Sequence, residues 1–319
     1  MKNVLVLSAG RRVELVNAFK IELGSRISAA KVLATDLYPN RSAACQVADI
    51  ALKAPRVSDP TYIDFLLDAC EVNSVGLIVS TIDTELLLLA CNREKFLSRG
   101  VHLVVSDQTL VEKCRDKRLT AKLFSDIKID SPKIYSNGAL TFPCFAKPYD
   151  GSCSVGAVAV REPNAITAAM QSDPKLMYME LIDDSHTEFT IDAYYTKYGE
   201  LACFVPRERI EVRGGEISKG ITRRNYVYDY LLPRMRKLQG ARGCITLQIF
   251  ANEKTRRFAA LEINPRFGGG YPLSYSAGAN YPGWLIDEYL LDRDVRFFDK
   301  WEQDLMMLRY DAKILVRGA

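Results

Sequence analysis

Short apolar runs alternate with helical patterns through the first hundred residues, and this alternation constrains the fold more than any other feature. Strands that are separated by helices pair in parallel, and the helices then cover both faces of the sheet. We therefore expect a doubly wound parallel α/β sheet at the start of the chain. The expected strands lie near 4–7, 32–35, 75–80 and 103–106, and the expected helices near 13–23, 61–71 and 83–97.

The pattern changes after a helix that is predicted at about 109–125. Strands then follow one another with few helices between them, so we expect a small α+β unit followed by mainly antiparallel sheets. The Gly/Arg-rich stretch 213–224 is expected to be a mobile loop. The expected strands lie near 142–147, 155–161, 176–181, 188–195, 201–213, 243–251 and 257–264, with helices near 163–172 and from about 282.

Composition argues against several classes of function. The 319 residues carry a net charge of only +4, which does not indicate nucleic acid or an anionic membrane as a partner. The eight cysteines form no CxxC pair, which argues against a zinc ribbon and favours a reducing compartment. No apolar run is long enough for a membrane span or a signal peptide. We expect a cytoplasmic protein with no nucleic-acid or membrane partner.

Two features that often bind cofactors are weak in this sequence. The segment 8–12 lacks the GxGxxG spacing, so a dinucleotide site is poorly supported. Asp36 ends the second strand and either contacts a ribose or caps a loop. Only two histidines occur, His102 and His186, which excludes a His-rich metal site and argues against a catalytic triad.

Two alternating segments, 244–250 and 258–266, form the clearest constellation of polar residues. If their apolar faces coincide, burial sets the register, and Gln248, Glu262 and Asn264 emerge together on the opposite face. Magnesium binds hard oxygen atoms of this kind. The set predicts a metal site, and a solvated sheet face is the alternative. The expected apolar pairs are Ile245 with Ile263, Leu247 with Leu261, and Ile249 with Ala259.

Residues further upstream indicate phosphate and nucleotide binding. Lys147 ends an apolar strand, and the loop 151–156 then lets backbone amides approach a phosphate. Such hairpin turns are common, so the loop alone is weak evidence. Lys117 opens a helix, and an ordinary surface position is its alternative. The strand that ends at Glu180 could hold an adenine, and Glu188 a ribose, with a plain edge strand as the alternative.

Taken together, these residues resemble the ATP-grasp superfamily, in the branch similar to the large chain of carbamoyl-phosphate synthase. The resemblance covers nearly the whole chain, and the motif Glu-Ile-Asn-Pro-Arg-Phe-Gly-Gly-Gly at 262–270 is its most specific part. Two departures stand out. Cys153 lies in the phosphate loop where the family has a smaller residue, and the chain holds one ATP-grasp unit where carbamoyl-phosphate synthase has two. The chain looks more like the stand-alone ligases of that branch.

The resemblance assigns a role to each motif. It implies that the nucleotide is ATP and that the metal is magnesium, with manganese as a substitute. The implied metal ligands are Gln248, Glu262 and Asn264, and the implied phosphate-side arginine is Arg266. The implied nucleotide contacts are Lys117, Lys147, Gly151, Ser152, Ser154, Gly156, Glu180, Leu181 and Glu188. We further expect the acid substrate to face Arg207, Arg209, Lys219, Arg223 and Arg224, with a solvated loop as the alternative.

The resemblance also implies domains and an activity. Residues 1–112 would form a pre-ATP-grasp α/β domain, 113–184 a lid with its linking helix, and 185–319 the metal and substrate part. The implied enzyme is an ADP-forming carboxylate–amine ligase that makes an acyl phosphate from a small-molecule acid and joins it to an amine. The alternatives are a kinase-like enzyme that releases the acyl phosphate of a carboxylate or carbamate, and a catalytically silent nucleotide-binding regulatory protein. The two substrates and the oligomeric state stay open, a homodimer being one option.

Overall fold

A computed structural model describes residues 2–136, 139–151 and 156–317. Its first part is a five-stranded parallel sheet in the order β3-β2-β1-β4-β5. The strands are β1 (Asn3–Leu7), β2 (Val32–Asp36), β3 (Ile50–Lys53), β4 (Val75–Ser80) and β5 (His102–Val104). The helices are α1 (Val13–Arg26), α2 (Ala43–Val47), α3 (Tyr62–Val72), α4 (Leu86–Cys91) and α5 (Arg93–Leu97), with short 3-10 turns at Pro39–Arg41 and Asp83–Glu85.

Strand β1 is buried on both faces. Val4 and Val6 belong to one buried cluster, whereas Leu5 and Leu7 belong to another. Alternate residues of a strand point to opposite faces, so helices must cover the sheet on both sides. The predicted doubly wound sheet is confirmed.

Asp36, at the end of β2, caps the neighbouring loops. Its carboxylate accepts hydrogen bonds from the backbone amides of Gly10 (3.1 Å) and Tyr38 (3.0 Å). Both carboxylate oxygens are therefore engaged by the protein, which favours the loop-capping alternative over a ribose contact.

A four-stranded antiparallel sheet forms the middle of the chain, in the order β6-β9-β7-β8. Strand β7 alternates, so that Cys144 and Ala146 enter a small core while Phe145 and Lys147 face the other way. This alternation places Lys147 over the cavity described below. The elements are α6 (Gln108–Arg115), α7 (Lys117–Asp126), β6 (Ile134–Tyr135), β7 (Cys144–Pro148), β8 (Val158–Val160), a 3-10 turn at Pro163–Ala165, α8 (Ala168–Ser172) and β9 (Leu176–Glu180).

The last part is a six-stranded antiparallel sheet in the order β14-β13-β10-β11-β12-β15. The predicted succession of a parallel sheet and mainly antiparallel sheets is thus confirmed. The strands are β10 (Thr187–Tyr195), β11 (Leu201–Arg213), β12 (Glu216–Thr222), β13 (Gly243–Asn252), β14 (Arg257–Asn264) and β15 (Met306–Leu308), and the helices are α9 (Tyr226–Met235), α10 (Tyr271–Ser276) and α11 (Tyr281–Leu290).

The expected mobile loop at 213–224 is wrong. Strand β12 occupies most of this stretch and pairs with both β11 and β15. Its Ile217 and Ile221 are buried, which supplies the apolar contacts that hold the strand. Only the turn is glycine-rich: Gly214 and Gly215 adopt φ angles of +59° and +78°, which favour glycine.

None of the helices in the described ranges has the length and apolar character that crossing a bilayer requires. The predicted domain boundaries stay predictions. Residue 112 lies inside α6, and residue 184 lies in the segment that precedes β10.

Candidate functional site

The four-stranded and six-stranded sheets enclose a cavity of about 410 Å³. Its walls combine apolar side chains, such as Phe145 and Met179, with charged ones, such as Lys147 and Glu262. Such a mixture is typical of ligand sites. The predicted site residues that line this cavity are Lys117, Lys147, Gly151, Glu180, Leu181, Glu188, Arg209, Gln248 and Glu262.

A second cavity, of about 180 Å³, continues from the first towards the parallel sheet. The two cavities share Lys117, Gly151 and Glu262 as lining residues. Asn264 and Arg266 line only the second one. The predicted metal and phosphate residues therefore lie at the junction of two connected spaces.

The three predicted metal ligands lie on one face of β13 and β14. Gln248 pairs directly with Glu262 across the strands, and Asn264 is two residues further along β14. The Asn264 side-chain amide donates to Glu262 Oε1 at 3.0 Å, and the Gln248 amide donates to Glu188. One carboxylate and two amide groups thus meet in a small region.

The predicted register of this hairpin is wrong by two residues at Leu247 and by one at Ile249. Leu247 pairs with Ile263 and not with Leu261, and a bulge at Leu261 separates the two registers. Gln248 faces Glu262 while the next residue, Ile249, already faces Ala260. On the Glu262 side of the bulge the shift is two residues, which preserves the faces of Gln248, Glu262 and Asn264, so the expected polar cluster still forms.

The bulge corrects a second expectation. Leu261 was expected on the core face beside Ile263, but it is half-exposed and lines the larger cavity. The extra residue turns two neighbours, Leu261 and Glu262, towards the same space. An apolar side chain therefore lies next to the carboxylate at the cavity floor.

Two lysines, one buried and one half-buried, give the junction a surplus of positive charge. Lys147 is only 9% exposed, and burial lowers its pKa to about 8, opposed by the carboxylate of Glu262 and reinforced by Lys117. Burial also lowers the pKa of Lys117, whose Nζ donates to the Gly151 carbonyl at 2.5 Å. One carboxylate faces two ammonium groups, so an added anion would be favoured here.

Several predicted contacts are already engaged within the protein. Glu188 accepts from Gln248 and lies 3.4 Å from Arg209 Nε. Glu180 forms an ion pair with Arg257 at the rim of the cavity. Gly156 adopts a φ of +73°, as a tight loop requires, whereas Ser152 and Ser154 lie outside the described residues.

Most of the basic stretch that was expected to face the acid lies elsewhere. Lys219 is exposed and pairs with Glu211 at 2.5 Å, outside both cavities. Three of the remaining side chains are held by other partners. Arg207 is buried against Asp192, Arg223 pairs with Glu208 and Asp304, and Arg224 lies over Trp301.

Asp83 is a site residue that was not expected from the sequence. Its carboxylate accepts from the Arg266 side chain at 2.7 and 3.2 Å and lines the smaller cavity. It follows β4 by three residues, at the carboxyl edge of a parallel sheet, where ligand sites commonly gather. Its position just after a predicted parallel strand is the feature of the sequence that could have identified Asp83 as a site residue.

A further cavity, of about 820 Å³, lies along this same carboxyl edge. It opens beside Ser8 and Asp36, and it contains none of the predicted site residues. Thr84 and Leu87 line both this cavity and the smaller one. The parallel sheet therefore borders the junction without supplying the polar cluster itself.

The donor set fits magnesium and a phosphate chain. Within the described ranges there is no group of three or more His, Cys, Asp or Glu side chains that could hold a metal. A metal would instead depend on Glu262 with the amide oxygens of Gln248 and Asn264, completed by phosphate and water, as magnesium prefers. The two lysines supply the charge that phosphate oxygens need.

Two family models match the chain. Residues 4–104 match a model described as a PylC-like N-terminal domain. Residues 172–310 match a model described as ATP-grasp in the biosynthetic pathway with Ter operon. No curated protein matches the chain.

Solved structures share the fold at low sequence identity. The biotin carboxylase domain of Hydrogenobacter thermophilus 2-oxoglutarate carboxylase, a dimer in complex with MgADP, ADP and bicarbonate, is 16% identical, with a TM-score of 0.71 over 96% of this chain and 73% of that one. N5-carboxyaminoimidazole synthetase from Staphylococcus aureus, in complex with ADP, is 13% identical, with a TM-score of 0.69 over 92% and 78%. L-amino acid ligase from Bacillus licheniformis is 14% identical, with a TM-score of 0.68 over 91% and 74%.

The family model identifies an ATP-grasp domain in this chain, as the sequence motifs predicted, and the fold agrees with it. In this chain the ATP-grasp domain follows a PylC-like N-terminal domain. The expected cofactors, ATP and magnesium, agree with the ADP and MgADP in the relatives' structures.

Proposed function

We propose that this protein is an ATP-dependent, ADP-forming ligase that joins a carboxylic acid to an amine through an acyl phosphate. The observation that carries the proposal is the junction of the two cavities. There the oxygen set of Gln248, Glu262 and Asn264 lies beside the half-buried Lys117 and the buried Lys147. The names of the relatives, a carboxylase, a synthetase and a ligase, support the same general class.

The larger cavity is suited to the nucleotide. Apolar side chains such as Phe145, Met179 and Leu181 offer surfaces for an adenine. Lys147 and Lys117 lie towards the phosphate end, next to Glu262. In this arrangement the terminal phosphate reaches the smaller cavity.

The smaller cavity is suited to the reacting acid. Arg266 is oriented by Asp83 and lines this space with Asn264. The acid's carboxylate oxygen would attack the terminal phosphorus, and ADP would leave. The amine would then attack the acyl carbon, lose a proton, and displace inorganic phosphate. Positioning and charge neutralisation drive such transfers more than acid–base chemistry does.

Each residue has a separate task in this scheme. The bound metal supplies charge neutralisation on the phosphate oxygens. Glu262, Gln248 and Asn264 would hold it, and Lys147 and Arg266 would offset charge on either side of the transferred group. The cavity walls exclude water, which would otherwise hydrolyse the acyl phosphate.

The test is phosphate release from ATP with acids crossed against amino acids and other amines. We expect release that requires both substrates, and hydroxylamine should trap the acyl phosphate as a hydroxamate when the amine is omitted. Glu262→Ala should abolish turnover without unfolding the chain, because Glu262 is half-buried and outside the core. Glu112→Ala, at an exposed glutamate, is the matched control.

The outcomes separate the alternatives. Release that needs the acid but no amine would indicate a kinase-like enzyme. ATP binding without turnover across the panel would indicate a silent regulatory protein. Near-normal turnover in Glu262→Ala would refute the metal assignment. A homodimer stays a prediction, which light scattering coupled to size-exclusion chromatography would test.

A further inference from the structure

Three arginine side chains share a single carboxylate outside both cavities. Glu216 Oε1 lies 3.3 Å from Arg11 Nη2 and 3.5 Å from Arg12 Nη1, while its Oε2 lies 3.2 Å from Arg309 Nη1. We name Arg11, Arg12, Arg309 and Glu216 the arginine cluster. Glu14 lines the same cleft, so three positive charges against two negative charges leave a surplus of one.

The arginine cluster is built by distant parts of the chain. Arg11 and Arg12 follow β1 of the parallel sheet, Arg309 follows β15, and Glu216 begins β12. Burial lowers the pKa of Arg12, and the neighbouring Arg266, Arg11 and Arg309 lower it further against the opposing effect of Glu216. Bringing like charges together under partial burial is unfavourable unless an anion compensates them.

The glycine run 268–270 connects the arginine cluster to the proposed active site. It begins two residues after Arg266, and a side chain there would collide with the cluster: a Cβ at Gly269 would lie 2.6 Å from both Arg12 Nη1 and Glu216 Cδ. The absence of side chains therefore lets this backbone lie against the guanidinium groups. The same short segment thus touches the arginine cluster and carries Arg266, the residue proposed to face the reacting acid.

A fourth guanidinium lies against the same run. Arg207 is 1% exposed, and its Nε and Nη2 bind Asp192 at 2.8 and 3.1 Å. Its Nη1 is buried and, in the part of the chain that the structure describes, has no hydrogen-bond partner. A Cβ at Gly270 would collide with this Nη1. A buried donor without a partner is unfavourable, so the region still lacks an acceptor.

We infer that the arginine cluster binds a second anionic group of the acid substrate, a carboxylate or a phosphate, and that Glu216 occupies its place in the free protein. The acid is thus a dicarboxylate or a phosphorylated acid. This inference rests on the proposed function, since the other carboxylate of the same molecule would lie at Arg266. Glu216 fills the cleft, which retains a free volume of only about 20 Å³.

The β11–β12 turn is suited to withdrawing Glu216. The residues before it, Gly214 and Gly215, have positive φ angles and little steric restriction. Arg11 is 70% exposed at its side chain, so an anion has access to the cluster from solvent. An incoming anion would replace one carboxylate by another and so recover the same charge-assisted hydrogen bonds.

The test measures binding of succinate and of inorganic phosphate by calorimetry in the full chain. Arg12→Gln should weaken binding about tenfold, the loss of one charge-assisted hydrogen bond. Glu216→Gln should strengthen it several-fold, because the internal competitor is gone. Arg11→Gln, at an exposed site, repeats the first test if Arg12→Gln does not fold. Arg99→Gln, at an exposed ion pair with Glu71, is the control and should change nothing.

Opposite signs for the two variants distinguish a ligand site from a structural ion pair. Weaker binding in both Arg12→Gln and Glu216→Gln, unchanged binding in the arginine variants, or no binding in the natural protein would overturn the inference. The preference between succinate and phosphate identifies the chemical source of the anion. If anion binding changes with the expected signs but no acid-dependent phosphate release is found, the proposed function alone is refuted. If Arg12→Gln and the natural protein release phosphate equally with every acid, the subsite alone is refuted.

Discussion

Replacing Lys147 by methionine should stabilise the free protein and weaken its binding of ATP. Lys147 is 9% exposed, and burial lowers its pKa from 10.5 to about 8. Each pH unit of lowering corresponds to about 1.4 kcal/mol, so the buried ammonium destabilises the fold by roughly 3 kcal/mol at most. Methionine keeps a similar length without the charge. We expect Lys147→Met to raise the free energy of unfolding by about 1–3 kcal/mol at pH 7.

The pH dependence gives this prediction a definite sign. Below pH 8 Lys147 is charged in both the folded and the unfolded chain, and the destabilisation is fully present. Between pH 8 and 10.5 the unfolded chain binds more protons than the folded one, so the stability contribution of Lys147 rises with pH. The variant lacks this rise. The difference in stability between variant and natural protein should therefore shrink from pH 7 to pH 10.

Urea unfolding followed by circular dichroism at both pH values measures these differences. Lys122→Met, at an exposed lysine, is the control and should change stability by less than about 0.5 kcal/mol. Calorimetry should show that Lys147→Met weakens ATP binding at least about tenfold, through loss of a charge-assisted contact. A destabilised variant, a difference that does not vary with pH, or unchanged ATP affinity would refute the reasoning.

Two further changes test the buried scaffold beneath the site. Asp192→Asn should destabilise the fold by about 3–5 kcal/mol in urea unfolding, because it leaves the fully buried Arg207 without its counterion. A loss of stability below about 1 kcal/mol would contradict this prediction. Phe258→Ala should lower the free energy of unfolding by about 3–5 kcal/mol, since the Phe258 ring is buried and stacks on Tyr230 with ring centroids 3.6 Å apart. An unchanged midpoint of thermal unfolding would contradict the packing described.

The sequence predicted the polar cluster correctly for a reason that the structure makes plain. Alternation of apolar residues determines which face a side chain occupies, but not which residue it pairs with. The predicted register was therefore wrong by two residues at Leu247 and by one at Ile249, while Gln248, Glu262 and Asn264 still share a face. The bulge at Leu261 depends on packing against the neighbouring strand, and no local pattern in the sequence indicates it.

The sequence could not predict which residues, far apart along the chain, contact each other in the site. Arg266 and Asp83 are 183 positions apart, and the arginine cluster joins residues from both ends of the chain. Glycines and basic residues at 213–224 suggested a loop, because local propensity says nothing about the strands that flank β12 on either side. Lys219 belongs to that misassigned stretch, and it lies on the exposed side of the hairpin.

The β11–β12 turn has a consequence for the order in which ligands act. Gly215 lines the larger cavity, which we propose for the nucleotide, and its carbonyl accepts from Arg209, whereas the next residue, Glu216, pairs with the arginines of the arginine cluster. One peptide unit thus belongs to two sites. If an acid displaces Glu216 and thereby changes the affinity for ATP by some factor, thermodynamic linkage requires the reverse effect. Bound ATP then changes the affinity for the acid by the same factor.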